Sequence, residues 1–460
     1  MAPNPLKKIP SVNELLENPS LAKLVDRLNR NVVVSTVRAV LDEARVEVQT
    51  AASELTLPSV TELADRIVRR ITETDPHGPR SVVNATGVLL HRELGSPPLA
   101  DRAIKEMAAV AANYTAAEAE PNVALEGLLK ELTGAEAATV AQNGAAATML
   151  TLAALVAPRE VIVSRGHLIE TDPGCRVADL ISAAGAVLRE VGSTNITRLE
   201  DYTGAIGERT AALITVHPGD FLMAGSTAGV TLGELVDVGR RHKLPVILLA
   251  PLGTLIDCRP FGPTDLPVVR EAVKAGVDVV LFQGDRLLGG PRSGIIVGRR
   301  ALVDRIARHP IRRAFEPDRP TLAALAATLD LHRDPDQARQ AIPLLSLLST
   351  SAENLRNRAE RLAPQIAATK AVAAAEPQAG VTHLCSQTIA THELPTYRIV
   401  IEPAEMSADR LAESLRLGAP SVVGRVEQDR LILDLRTVMP RQDIELTTAF
   451  ESLDTERPGT

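Results

Sequence analysis

Between residues 81 and 330, short continuous apolar runs alternate with segments whose apolar residues recur at helical spacing. The runs are "AATVAQ", "EVIVSR", "AVLREVG", "AALITVHP", "LPVILLA", "DVVLFQG" and "SGIIVG". Each has strand length, and they predict about seven strands. Between them, "TLGELVDVGRRH" and "PVVREAVKAG" carry the helical period. Continuous apolar strands that alternate with helices predict a mostly parallel sheet covered on both faces. Ligands of such sheets bind beyond the carboxyl ends of the strands. "QNGAAA", "SRGHLIE", "VHPGD", "APLGT" and "QGDRLLGGP" all fall there.

The pattern differs on either side. Up to about residue 75 it is helical throughout, with Ser11 as N-cap and Glu14 three residues on in a capping-box arrangement. "LAKLVDRLNRNVVVSTVRAVLDEARVEVQTAA" continues it, as a small helical domain or packing arm. "ETDPHGPR" at 73–80 punctuates the boundary. After "HRDPDQARQAIP" at 332–343, one long helix is expected over 344–369. Strands near 396–402 and 430–435 and a helix at "SADRLAESLRLG" then make a smaller α/β unit. The expected domains are 1–75, helical; 76–334, the large α/β domain; and 335–460, the small one.

Composition narrows the function classes. Aromatics are 2% of the 460 residues and Trp is absent, so the core is built from Ala, Leu, Val and Ile. Base stacking as the main mode of single-strand binding is thereby disfavoured. A net charge of −7 excludes a global basic footprint, leaving "RHPIRR" at 308–313 as the densest local cluster for phosphate contact. Cys175, Cys258 and Cys385 are far apart and form no CxxC pair, which argues against zinc and disulfides and fits a reducing cytoplasm. No leader-like or bilayer-length apolar run is present, and a cytoplasmic protein is expected.

Candidate chemistry gathers at the strand ends. In "FQGDRLLGGPRSGIIVG" at 282–298, a tight glycine-bounded loop presents Arg286 toward the cleft, where a Schiff-base lysine would be expected. A guanidinium stays protonated in proteins and cannot attack a carbonyl. Arg286 could instead grip an anion or pair with Asp285. Asn143, Gly144 and Ala145 of "QNGAAA" form either a phosphate cradle at a helix start or a plain strand-to-helix turn. His167 and His217, at strand ends, could stack on a ring or act as bases, or could be hydrogen-bonded structural residues. "GRVEQDRLILDLRTV" could contact RNA through Arg425, Arg430 and Arg436, but an edge hairpin of the small domain is the preferred reading.

Taken in order, "IPSVNELLENPSLAKLVDRL", "VVNATGVLLHRELGSPPLA", "LTGAEAATVAQNGAAA", "VIVSRGHLIE", "VGSTNITRLEDY", "GDRLLGGPRSGIIVG", "TLAALAATL" and "SVVGRVEQDRLILDLRTV" resemble the bacterial L-seryl-tRNA(Sec) selenium transferases. The resemblance implies an aspartate-aminotransferase-like (fold type I) fold and a pyridoxal phosphate (PLP) cleft. It also implies a tRNA-contacting N-terminal domain and a ring-shaped homo-oligomer built from dimers. The family's motif carries a PLP-binding lysine where this chain has Arg286, and a serine where it has Gln283. Leu249 stands in place of the aspartate that pairs with the ring nitrogen. Ser96 replaces one substrate-clamping arginine; Arg313 keeps a second and Glu316 reverses a third. The segment after Tyr114 is shorter than the family's and lacks its Arg-Gly-x-Arg element. PLP is therefore expected to be absent or non-covalent, with no confident catalytic residue and only Arg313 for a substrate anion. The expectation is a catalytically degenerate relative that acts by binding or assembly, with tRNA, with itself or with an active paralogue. The alternatives are an active selenium transferase and an enzyme that holds PLP or another phosphate ligand non-covalently.

Overall fold

The computed structural model describes residues 10–16, 18, 21, 30–50, 59–74, 80–115, 121–172, 174–219, 221, 223–263, 265–385 and 392–455. The chain divides into two compact units, 1–81 and 82–460. Strands of the second unit are β1 (Val82–Asn84), β2 (Ala137–Ala141), β3 (Glu160–Ser164), β4 (Glu170–Asp172) and β5 (Cys175–Arg176). They continue with β6 (Val187–Val191), β7 (Thr210–Val216), β8 (Val246–Leu249), β9 (Val279–Gln283) and β10 (Gly294–Gly298). The last five are β11 (Val372–His383), β12 (Glu393–Pro403), β13 (Ser421–Val423), β14 (Arg425–Glu427) and β15 (Arg430–Asp434).

All seven strand-like runs join one sheet, ordered β2-β10-β9-β8-β7-β3-β6. Its neighbours are parallel except at β10, which runs antiparallel to both β2 and β9. Every residue of β2, β8, β9 and β10 is buried. Helices on both faces demand such continuous apolar strands. Two separate hydrophobic clusters result, one around Leu213, Leu248 and Phe282 and the other around Val163, Ile247 and Leu281. Edge strand β6 exposes Arg189 and Glu190, which discourages pairing with a further strand.

The carboxy-terminal part is built on the antiparallel sheet β11-β12-β15-β14, with β14 and β15 as its edge hairpin. Arg436, just past that hairpin, is buried; it donates to the carbonyls of Leu347, Leu348, Thr350 and Pro395. Those bonds tie down the end of one helix and correct the sequence expectation for 344–369. Two helices occur there, Pro343–Ser349 and Ala352–Ala367. Ser351 caps the second by accepting from the Asn354 amide. A local Ser cap won over the continuing apolar period. Another buried cluster joins the second helix to Asp443, whose carboxylate accepts from Arg358 at 2.6 Å and also pairs with Arg361.

In the first unit, helices Val12–Leu16, Arg30–Thr50 and Val60–Thr74 bury Leu15, Val37, Leu41, Leu63 and Ile67 together. The capping box is present in both directions: the Glu14 amide donates to Ser11 Oγ and the Ser11 amide to Glu14 Oε2. Most of the boundary segment 73–80 lies outside the described residues.

Candidate active site

The loop after β9 is held by its own backbone. Gly284 N donates to Ser293 O, Gly290 N to Gly284 O, and Gly289 N to Arg286 O. Gly289 has φ +68°, a left-handed conformation that side chains resist, and a Cβ there would run into Ile342. Leu287 and Leu288 point into the core with no exposure. The imidazole Nε2 of buried His332 lies 2.9 Å from Leu288 O and anchors the loop from behind. With two leucines fixed inward, Asp285 and Arg286 are left half-buried at the strand end.

They line a cavity of about 290 Å³ with Leu90, His91, Arg92, Gly95, Ser96, Pro97, Asn143, Gly144, Ala145, Cys175, Gln283 and Arg292. Its floor is the start of the helix Gly144–Leu155, where the Asn143 side chain caps the Ala146 amide at 2.8 Å. Ser96 Oγ donates to Asp285 Oδ2 at 3.1 Å. Burial raises the Asp285 carboxyl above its ordinary range, against the opposing pull of Arg286, Ser96 and Arg292. Burial also lowers His91.

A second, inner hollow of only about 30 Å³ adjoins it, lined by Leu249, Ala250, Pro251, Thr148, Val177 and Phe282 among others. Gly144, Ala145 and Gln283 border both spaces. Gln283 lies over the helix start: a Cβ on Gly144 would sit 2.7 Å from its Nε2 and 2.9 Å from its Cδ.

The structure thus brings Asn143, Gly144, Ala145 and Arg286 around one cavity. His167 and His217 are not in the lining of either space. The Val216 amide lies 3.5 Å from His167 Nδ1, and the Gly219 amide donates to His217 Nδ1 at 3.2 Å. Arg313 is 90% exposed and bound to Glu316 at 2.9 Å, with Arg312 3.8 Å from the same carboxylate. The sequence reading missed His91, Arg92, Cys175 and Arg292. Arg292 was within reach, since it lies in the same "GGPR" turn as the motif that singled out Arg286.

Burial lowers the pKa of His167, His217 and His332 below the ordinary 6.5. Above that value both folded and unfolded chains hold them neutral, and their contribution is complete. As pH falls below 6.5 the unfolded chain takes up protons first, so stability must drop, by up to about 1.4 kcal/mol per pH unit per histidine. Urea melts between about pH 7.5 and pH 5 should show this decline, shallower in His332→Asn. A flat profile would count against buried neutral histidines.

The fold and the motif imply PLP, so its fit can be tested against these residues. Among the described residues lining either space there is no lysine, and Arg286 offers no amine to a carbonyl. Leu249, 5% exposed, gives a ring nitrogen no acceptor. This residue set does not fit a covalently held PLP. Among the described residues, no group of His, Cys, Asp or Glu could hold a metal ion.

The family model described as L-seryl-tRNA selenium transferase matches residues 82–439, and the one described as selenocysteine synthase N terminal matches 6–45. The L-seryl-tRNA(Sec) selenium transferase of Moorella thermoacetica is 41% identical over 97% of this chain and 96% of its own length. That of Geobacter sulfurreducens is 40% identical over 97% and 98%. A solved structure of D-glucosaminate-6-phosphate ammonia-lyase covers 82% of this chain and 96% of its own with a TM-score of 0.60 at 21% identity, a likeness of fold. With identity of this level running nearly end to end, the chain belongs to the L-seryl-tRNA selenium transferase family.

Proposed function

We propose that this chain is a selenium transferase family member without the covalent cofactor chemistry, acting by binding or assembly. Arg286 at the end of β9, where an amine would be needed, is the single observation that carries this reading. Leu249, Ser96 and Glu316 point the same way. Ser96 is bonded to Asp285, and Glu316 pairs with Arg313 at 2.9 Å. The partners are tRNA, further copies of the chain, or an active relative. Exposed Ile104 and fully exposed Tyr114, on and after the helix Asp101–Ala111, offer apolar surface for assembly. A cytoplasmic location goes with this reading, and among the described residues no helix is long and apolar enough to cross a membrane.

Incubation with PLP followed by borohydride reduction and peptide mapping tests the proposal. No imine band near about 420 nm and no adduct within 282–298 are expected. A second reading, an active transferase, draws on the 40–41% identity to relatives of that name. A stoichiometric adduct in that loop would favour it and sink the first.

A further inference from the structure

Away from the cleft, buried polar atoms of three side chains gather where the turn after β1 meets the antiparallel sheet. The turn is fixed against β15 by its backbone. Asp434 N donates to Ala85 O at 2.8 Å, Thr86 forms a bridge with Asp434, and Gly87 N donates to Thr437 Oγ1 at 3.0 Å. Gly87 has φ +84°, and a Cβ there would lie 2.5 Å from both Asp434 Oδ2 and Thr382 Oγ1. Those two oxygens crowd the same face of Gly87, and both residues are fully buried.

One half of the Asp434 carboxylate is satisfied: Oδ1 accepts from Thr396 Oγ1 at 2.6 Å and from the Arg436 amide at 3.0 Å. Among the described residues, Oδ2 and Thr382 Oγ1 have no hydrogen-bond partner. Arg425 of β14 brings Nη2 to 3.9 Å from Oδ2, too long for a direct hydrogen bond. Its Nη1 pairs with Glu427 at 3.3 Å, but Nη2 and Nε are buried and find no acceptor among the described residues. Buried polar groups of folded proteins are nearly always paired, with protein or with ordered water.

The chemistry of the set names the ligand. An anion would be repelled by the Asp434 carboxylate and a cation by the Arg425 guanidinium. The guanidinium only donates, the carboxylate only accepts, and the hydroxyl does both. A small neutral molecule that donates and accepts meets all three. Burial raises the Asp434 carboxyl, against the pull of Thr396, the Arg436 amide, Arg425 and Arg436. A water serves either state, donating to the carboxylate or accepting from the acid.

We propose that one internal water is held by Asp434 Oδ2, Thr382 Oγ1 and Arg425 Nη2, a built hydration site that joins β11, β14 and β15 behind Gly87. About three protein partners is usual for a buried water, and a polar gap of this length is one that a water bridges. The chain runs on from Gly87 to Leu90, which lines the outer cavity, so the site lies at the root of that wall.

A high-resolution crystal structure of the full chain tests this directly. A water peak is expected at hydrogen-bonding distance from Asp434 Oδ2 and from Thr382 Oγ1 or Arg425 Nη2. No such peak would overturn the proposal, whether or not Thr382 or Arg425 has closed onto Oδ2 directly. Urea unfolding supplies a test by sign. Thr382→Val is nearly isosteric and suits a strand, so it poses little risk to folding. If the hydroxyl holds the water, the variant leaves a bonded partner unmet, and the midpoint should fall by about 0.3 M. If the hydroxyl is unpaired, an apolar replacement removes a buried polar burden, and a midpoint that holds or rises would refute the site. Arg425→Met should also lower the midpoint. Two residues that share one water should not act independently, so the double variant is expected to lose less than the two single losses together. Full additivity would likewise sink the proposal.

Discussion

Arg286→Lys is expected to yield no selenocysteinyl-tRNA in a single-turnover assay with seryl-tRNA(Sec), selenophosphate and PLP. The variant restores an amine at the end of β9, and weak imine formation is the most it should gain. Leu249 would still leave a ring nitrogen without an acceptor, and that pairing is what makes the ring an electron sink. Gln283 would still lie over Gly144. Ser96 would remain bonded to Asp285, and Glu316 would still put a carboxylate where the family's motif has an arginine. Each defect removes a different contribution to the transition state, and such contributions do not replace one another. Robust conversion by this single variant would show that the other substitutions are tolerated.

Asp443→Ala is expected to destabilise the second unit by about 3–5 kcal/mol, the cost of leaving a buried charge without its partner. The Arg358 and Asp443 side chains are 9% and 7% exposed, and Arg358 donates to both carboxylate oxygens. Without Asp443, Arg358 keeps, among the described residues, only the Val438 carbonyl, at 2.9 Å. Asp443 also begins the helix Asp443–Thr455, where a negative charge favours the dipole. Arg361→Ala is the control: its side chain is 57% exposed and its loss should cost less than about 1 kcal/mol. Urea unfolding midpoints at constant slope measure both. A loss under about 1 kcal/mol for Asp443→Ala would mean that Arg358 finds water or another partner.

Much of this molecule was readable from its hydrophobic pattern, for a physical reason. A strand covered on both faces has to be nearly continuously apolar, and the fully buried strands β2, β8, β9 and β10 announced themselves that way. β11 did not. "VAAAEPQAGVTH" is Ala-rich with a Pro and a Gly, and half of it is exposed, yet it pairs with β12 from Val372 to His383. Tertiary pairing overrode a weak local propensity. Of the site, Arg286 was legible because its glycine frame sets it apart from two buried leucines. Arg92 was not, because only the fold brings its segment against the loop after β9. The division of the cleft by Gln283 depends on how closely that side chain approaches Gly144, a distance no spacing rule encodes. His167 and His217 do sit at strand ends as expected, but each Nδ1 faces a backbone amide, of Val216 and of Gly219.

Single-turnover conversion of seryl-tRNA(Sec) by the unaltered chain, with selenophosphate and excess PLP, bears most directly on whether the fold outlived its chemistry here. The expected result is no selenocysteinyl-tRNA above the protein-free background. Stoichiometric conversion within one turnover would contradict it and make this chain an active transferase with an arginine where the amine was required.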